Sequence, residues 1–244
     1  MRVNVKRLLA RQLAALAFAG LLAVGLLVLG PNLVIAGKYE VLQGDARVVD
    51  GDTIVLGTTR IRLEGIDAPE TTQACGRRGA GQWPCGHEAI RKLTQLIGTN
   101  LVRCEDQGLD KYGRTLGRCF AGTVNLNAEM VRTGYAWAFV RYSQAYVAQE
   151  AEARAAGLGI WQGDAMPAWA FRARAWALAE VQAPGGCTIK GNVTSSGRIY
   201  HMPWSPWYEK VRMDDEGRGA SRGKRWFCSE DEAVAAGWRA ALSR

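Results

Sequence analysis

Hydrophobic spacing changes along this chain, and each change marks an element. The first stretch is a basic segment, MRVNVKRLLAR, followed by the apolar run LAALAFAGLLAVGLLVLG, with no charged residue from Gln12 to Gly37. Beyond it, residues 45–50 (DARVVD), 53–57 (TIVLG), 60–64 (RIRLE), 101–106 (LVRCED) and 114–120 (RTLGRCF) are short, rich in β-branched or apolar residues, and bounded by Gly, Asp or Asn. That pattern predicts five strands. GHEAIRKLTQLIG places Ile90, Leu93 and Ile97 on one helical face, and NLNAEMVRTG and SQAYVAQEAEARAAG read as two more helices. The fold class is therefore α+β with the strands leading. Five such strands cannot cover two faces of an open sheet, so closure into a small barrel with helices over one end is expected.

The rest of the chain divides around that unit. Residues 1–36 form a signal peptide or membrane anchor, 38–162 the barrel, 163–186 a helical linker opened by Pro167, and 187–244 a small accessory domain. On the linker helix Trp169, Phe171 and Trp176 make an aromatic stripe, which reads as packing against the barrel. The basic-then-apolar N-terminus exports everything after it, whether it is cleaved after Ala36 or kept as an anchor. Its length, beyond the ~7–15 apolar residues of a typical signal core, favours the anchor. Location is accordingly the cell membrane with the folded part outside the cytoplasm, or periplasmic or secreted after cleavage.

Net charge adds less than it promises. The total is +8, but residues 1–36 hold four basic side chains and no acid, while 37–162 hold 15 basic and 14 acidic ones. Half of the basicity has a targeting explanation and is weak support for a nucleic-acid partner. Six cysteines suit an oxidising compartment. Zinc is the competing use, but there is no CxxC, and His87 and His201 are the only histidines. Proximity within each unit pairs them as Cys75–Cys85, Cys104–Cys119 and Cys187–Cys228. The second pair lies on adjacent strands, and the third supplies the staple that so short a domain needs.

Candidate chemistry gathers where strands end. VVDGDTIVL turns at Asp50-Gly51 and sets Asp52 at the start of the next strand; RLEGIDAPE ends a strand with Arg62, Asp67 and Glu70; DKYGR carries Asp110, Lys111, Tyr112 and Arg114 through a glycine turn. Neighbouring carboxylates repel unless a cation lies between them, and a hard divalent ion with oxygen ligands is the economical neutraliser. Acids, a metal and two arginines suit phosphoryl transfer.

Together these three blocks, in order and roughly in spacing, resemble the staphylococcal nuclease (thermonuclease) family over residues 42 to 162. The resemblance implies an OB-like five-stranded β-barrel with three helices and a calcium-dependent endonuclease acting on DNA and RNA. By that match Asp52, Asp67 and the backbone carbonyl of Ala68 hold Ca2+, Glu70 acts through a water, and Arg62 and Arg114 grip the phosphate. Tyr112 and Tyr142 match tyrosines of the nucleotide pocket, with Lys111 beside them. Ala68 stands where threonine is usual, and Val140 where another tyrosine is often found. Residues 187–244 resemble a short accessory domain of some secreted bacterial nucleases. No obligate protein partner is implied. The alternative is a non-catalytic protein that holds nucleic acid or a cell-surface polymer on the same fold; Asp52, Arg62, Asp67, Glu70 and Arg114 as a set speak against it.

Overall fold

A computed structural model describes residues 40–110, 112–213 and 223–241. The segment expected to be a signal peptide or anchor, and Lys111, lie outside them. Among the described residues no helix is long and apolar enough to cross a membrane.

Strand β1 (Val41–Gly44) and strand β2 (Ala46–Asp50) are separated by Asp45 alone. They stand at opposite ends of one sheet, with β8 (Val102–Leu109), β9 (Thr115–Ala121), β4 (Thr59–Leu63) and β3 (Thr53–Leu56) in order between them. Because one continuous stretch of chain supplies both edges, the sheet is curled into the OB-like form. All five expected strands are present, but the sheet has seven: β1 joins β8, and β10 (Val124–Asn125) joins β9. Both additions are edge pieces. The burial of β1 alternates only between exposed and half-buried residues, so it carries no strong apolar signal.

Period-two alternation decides what faces inward. Ile61 and Leu63 of β4 are buried, which leaves Arg60 and Arg62 on the other face. On β9, Gly117, Cys119 and Ala121 point inward, and Cys119 sits directly opposite Cys104 in the antiparallel register. A disulfide joins that pair. Gly117 is required to be small, because a Cβ there would lie 2.5 Å from Ile61.

Helix α1 (Cys85–Ile97) covers the core with Ala89, Leu93 and Ile97. Ile90, expected on this face, is only half-buried, since the face in contact is the one carrying the small residues Gly86 and Ala89. Helix α2 (Leu126–Arg132) adds Leu126, Met130 and Val131, and is capped by Asn125, whose side chain accepts from the Ala128 amide at 3.0 Å. Each fully buried Leu or Ile of this kind contributes about 1.5–3 kcal/mol. Helix α3 (Val147–Ala155) completes the expected three.

Two shorter pairings complete the frame around the sheet. β5 (Ile66–Asp67) pairs with β11 (Trp137–Ala138), and β6 (Cys75–Arg77) forms a hairpin with β7 (Gly81–Trp83) closed by the Cys75–Cys85 bond. Helix α4 (Ala168–Gln182) follows, opened by Pro167 as expected. Its aromatic stripe packs as read: Trp169 stacks on Phe139 at 6.0 Å and meets Trp137 edge-on.

The C-terminal segment has its own four-stranded sheet, in the order β14 (Arg225–Phe227), β12 (Ile189–Thr194), β13 (Gly197–His201) and β15 (Arg239–Ala240). Ile189, Tyr200, Phe227 and Trp238 form its core beneath helix α5 (Glu230–Ala235). The Cys187–Cys228 disulfide links the entry of β12 to the exit of β14.

Candidate active site

The turn between β2 and β3 brings the first acid into place. Asp50 pairs with Thr53, leaving Gly51 and Asp52 in the turn, and the Asp52 carbonyl accepts from the Leu63 amide at 2.7 Å. Since Thr53 is opposite Arg62 in the β3–β4 register, Asp52 and Arg62 become neighbours. Gly51 packs so closely that a Cβ would lie 2.6 Å from that of Ala68. The next loop is drawn onto this turn by the Ala68 amide, which donates to Asp52 Oδ2 at 2.9 Å. Glu70 is fixed from below. A Cβ on Gly86 of α1 would lie 1.8 Å from the Glu70 carbonyl oxygen, and the buried Gln73 accepts from the Glu70 amide at 3.2 Å.

Arg62 forks between two acids: Nη1 donates to Asp52 Oδ1 at 2.6 Å and Nη2 to Asp67 Oδ1 at 2.9 Å. A second arginine comes from α4. Arg172 Nη1 donates to Asp67 Oδ1 at 3.1 Å and Glu70 Oε1 at 2.8 Å, and its Nη2 donates to Asp67 Oδ2 at 2.9 Å. The Asp67 side chain is wholly buried under these contacts.

Burial and charge then set the protonation. Burial pushes the Asp52 carboxyl up, but the Arg62 charge and the Ala68 amide outweigh it and hold it below the usual carboxylate range. Glu70 is pushed up to about 7, mainly by burial, against the opposing charge of Arg172. Asp50 is pushed up to about 6 by burial and then by Asp52. For Arg62, burial works against the charge, but Asp52 and Asp67 win and raise its pKa.

The expected residues thus separate into two groups. Asp52, Arg62, Asp67, Ala68 and Glu70 converge. Arg114 stays on another part of the rim, where its Nε donates to Asp110 Oδ2 at 2.6 Å and its guanidinium lies 5.5 Å from the Tyr112 ring. Asp110 also shapes the turn, accepting from the Tyr112 and Arg114 amides at 2.9 Å each. Tyr142 is 68% exposed and leans edge-on against Phe139. Arg62, Glu70, Tyr112, Arg114 and Tyr142 all line one cavity of about 1300 Å³. Its facing wall comes from the C-terminal segment, including Trp204, Pro206 and Arg239.

Three residues of the site have no counterpart among the expected ones. In the sequence Asp50 reads only as part of a turn, Gln73 carries no signal of its own, and Arg172 falls within the linker. Arg172 follows Trp169 by three positions and precedes Trp176 by four, so helical spacing on the aromatic stripe is the signal that points it at the barrel. The glycine-rich stretch 71–86 (TTQACGRRGAGQWPCG), in contrast, is closed on itself by the Cys75–Cys85 disulfide. Cys75, Trp83 and Cys85 are buried against Trp137, Ile160 and Ala168.

Among the described residues no three His, Cys, Asp or Glu side chains stand in a metal-holding arrangement. The donor chemistry nevertheless fits a hard divalent ion. Asp52, Asp67 and Glu70 offer carboxylate oxygens, and their convergence is bridged by two guanidinium cations. All six cysteines are tied in disulfides, so softer ligation is not on offer from them.

A family model described as staphylococcal nuclease homologue matches residues 60–163. The chain is similar to the succinoglycan biosynthesis protein ExoI of Rhizobium meliloti (strain 1021), 34% identical over 142 residues that cover 57% of this chain and 73% of that protein. It is similar to the micrococcal nuclease of Shigella flexneri, 37% identical over 144 residues, covering 52% and 77%. An uncharacterized endonuclease of Escherichia coli is 36% identical over 136 residues, covering 52% and 82%. Arg62, Asp67, Ala68, Glu70 and Arg114 fall inside the matched segment, whereas Asp52 and Arg172 lie on either side of it.

Proposed function

Since the chain belongs to the staphylococcal nuclease family, we propose that it is a calcium-dependent endonuclease that hydrolyses phosphodiester bonds of DNA and RNA. The observation that carries this reading is that Asp52, Arg62 and Glu70 line one cavity of about 1300 Å³ while the buried Asp67 is tied to Arg62 just behind them. A phosphodiester resists attack because its negative oxygens repel nucleophiles. Asp52, Asp67 and the Ala68 carbonyl would hold the ion, which when bound offsets that negative charge.

The remaining work belongs to the chain. Arg62 presents two donors to neighbouring phosphoryl oxygens, a geometry a lysine cannot reproduce. Arg114, held by Asp110, meets the same phosphate or the next one from the other rim. Glu70 takes a proton from the attacking water, a contribution of about 10²–10⁴-fold for a positioned base. Tyr112 and Tyr142 line the nucleotide path, with Lys111 beside them in sequence. The basic-then-apolar N-terminus and three disulfides support a site of action outside the cytoplasm, with the membrane as the anchor if the segment is kept.

The relative named for succinoglycan biosynthesis raises a second reading, a protein that holds nucleic acid or a cell-surface polymer without cutting it. Binding alone does not require two arginines and three acids so arranged. Digestion of plasmid DNA and of RNA with calcium, with chelator, and with calcium restored separates the two. Cleavage that follows calcium is expected; retention of nucleic acid without cleavage under every condition overturns the nuclease reading.

A further inference from the structure

We propose that Arg172 is a built-in competitor of the divalent ion: a tethered guanidinium that holds Asp67 and Glu70 until calcium displaces it, and so sets the calcium concentration at which the site assembles. The proposal rests on the calcium reading given above. Asp67 Oδ1 accepts from Arg62 and Arg172, and Oδ2 from Arg172, at 2.9–3.1 Å. Lone pairs so engaged cannot also face an ion at the ~2.3–2.6 Å of a calcium–oxygen contact. Three of the roughly four lone-pair positions of the Asp67 carboxylate are so engaged, two of them by Arg172, so an ion brought to Asp67 competes with that guanidinium for the same oxygens.

The surroundings allow that exchange by rotation of one side chain. One turn before Arg172, Trp169 is stacked on Phe139; one turn after it, Trp176 meets Trp204 at 6.2 Å. The helix is held on both sides, so its backbone need not move. The Arg172 side chain is 22% exposed and also borders a second cavity of about 360 Å³, whose wall includes Glu230 and Asp231. A guanidinium leaving Asp67 therefore has a second acidic set within its own neighbourhood. The arginine stands between two carboxylate groups, and an ion of twice its charge favours the outward position.

Calcium binding to the full chain, measured by calorimetry and by terbium luminescence, tests this without reference to cleavage. Arg172→Gln is expected to bind calcium about tenfold more tightly, the loss of one charge-assisted contact to the competing arginine. Arg172→Lys, which keeps a charge but cannot span both Asp67 oxygens, is expected to fall between parent and Arg172→Gln. It also serves if Arg172→Gln does not fold. Arg174→Ala, an exposed arginine on the same helix, is expected to match the parent. Equal or weaker calcium affinity in both Arg172 variants, with the parent binding calcium, overturns the proposal and leaves the calcium site standing. A parent that cleaves yet binds neither ion overturns the calcium reading itself, and the competitor with it.

Discussion

Two ion pairs of this molecule have nearly the same length and opposite surroundings. At the open end of the barrel Arg62 reaches Asp67 at 2.9 Å, with side chains 16% and 0% exposed. In the C-terminal segment Arg225 reaches Glu232 at 3.0 Å, with 52% and 38% exposed. Around Arg62 every partner is itself bonded to something else: Asp52 to the Ala68 amide, Asp67 to Arg172, and Arg172 to Glu70. Around Arg225 the acid has a local duty, since Glu232 also accepts from the Cys228 amide at the start of a capped helix. Distance alone does not rank these pairs. A surface pair contributes about 0–1 kcal/mol, whereas breaking a buried one strands a charge and costs about 3–5 kcal/mol. A protein keeps such a buried set where function uses it.

The largest expected effects follow from substitution within the buried set. Glu70→Gln is expected to slow single-turnover cleavage at least about a hundredfold while leaving calcium and nucleotide affinity nearly intact. Arg62→Lys keeps the charge and is expected to lose most activity, because a point charge cannot fork between two oxygens. Arg225→Ala, the matching change in the exposed pair, is expected to leave cleavage unchanged and stability within about 1 kcal/mol. Cleavage by Glu70→Gln and Arg62→Lys at the parent rate would reduce the buried set to an ion-pair network that serves only the fold.

The next effect compares the two cores through their disulfides. Cys104 and Cys119 face each other at the centre of the large sheet, both fully buried. Replacing both by alanine is expected to cost about 2–5 kcal/mol in denaturant unfolding, and to lower activity only through the unfolded fraction. Replacing Cys187 and Cys228 removes the staple of the smaller sheet, so its loss is expected in proteolysis of residues 187–241 with the barrel still folded. A single transition shared by both disulfide variants would show that the two cores unfold as one.

Much of the barrel was legible because burial imposes its own spacing. RIRL alternates, TIVL is a short apolar run between turns, DGD and DKYGR turn, and Asp52, Arg62, Asp67 and Glu70 lie at the ends of neighbouring strands, so local signals agree with the final contacts. The missed parts lacked such agreement. β1 shows no buried residue, and its partner β8 is remote in sequence. Asp50 reads as an ordinary turn acid because its burial and its nearness to Arg60 and Arg62 depend on the fold. Arg172 is 105 residues from Asp67, and nothing in a helix of alternating alanines and aromatics names its distant partner. Only the stripe of Trp169 and Trp176 said which face would turn inward.

The smallest effect tests whether the C-terminal segment shares in substrate binding. Trp204 belongs to it, yet its carbonyl accepts from Thr72 Oγ1 at 3.1 Å, two residues after Glu70 in sequence. Its ring meets Trp176 at 6.2 Å, tilted by 40°, and lines both the large cavity and the smaller one. A ring so placed offers a stacking face to an unpaired base that leaves the cleavage site, and stacking of that kind contributes about 1–3 kcal/mol per base. Trp204→Ala is expected to raise KM for single-stranded DNA or RNA about tenfold, the lower part of that range, with kcat nearly unchanged. Double-stranded substrate, whose bases are already stacked, is expected to show less. Because the anchoring bond to Thr72 uses the main chain, the variant keeps it, and a thermal midpoint close to that of the parent checks that the wall is still in place. Equal KM values on single-stranded substrate would assign Trp204 to packing between α4 and the C-terminal sheet alone.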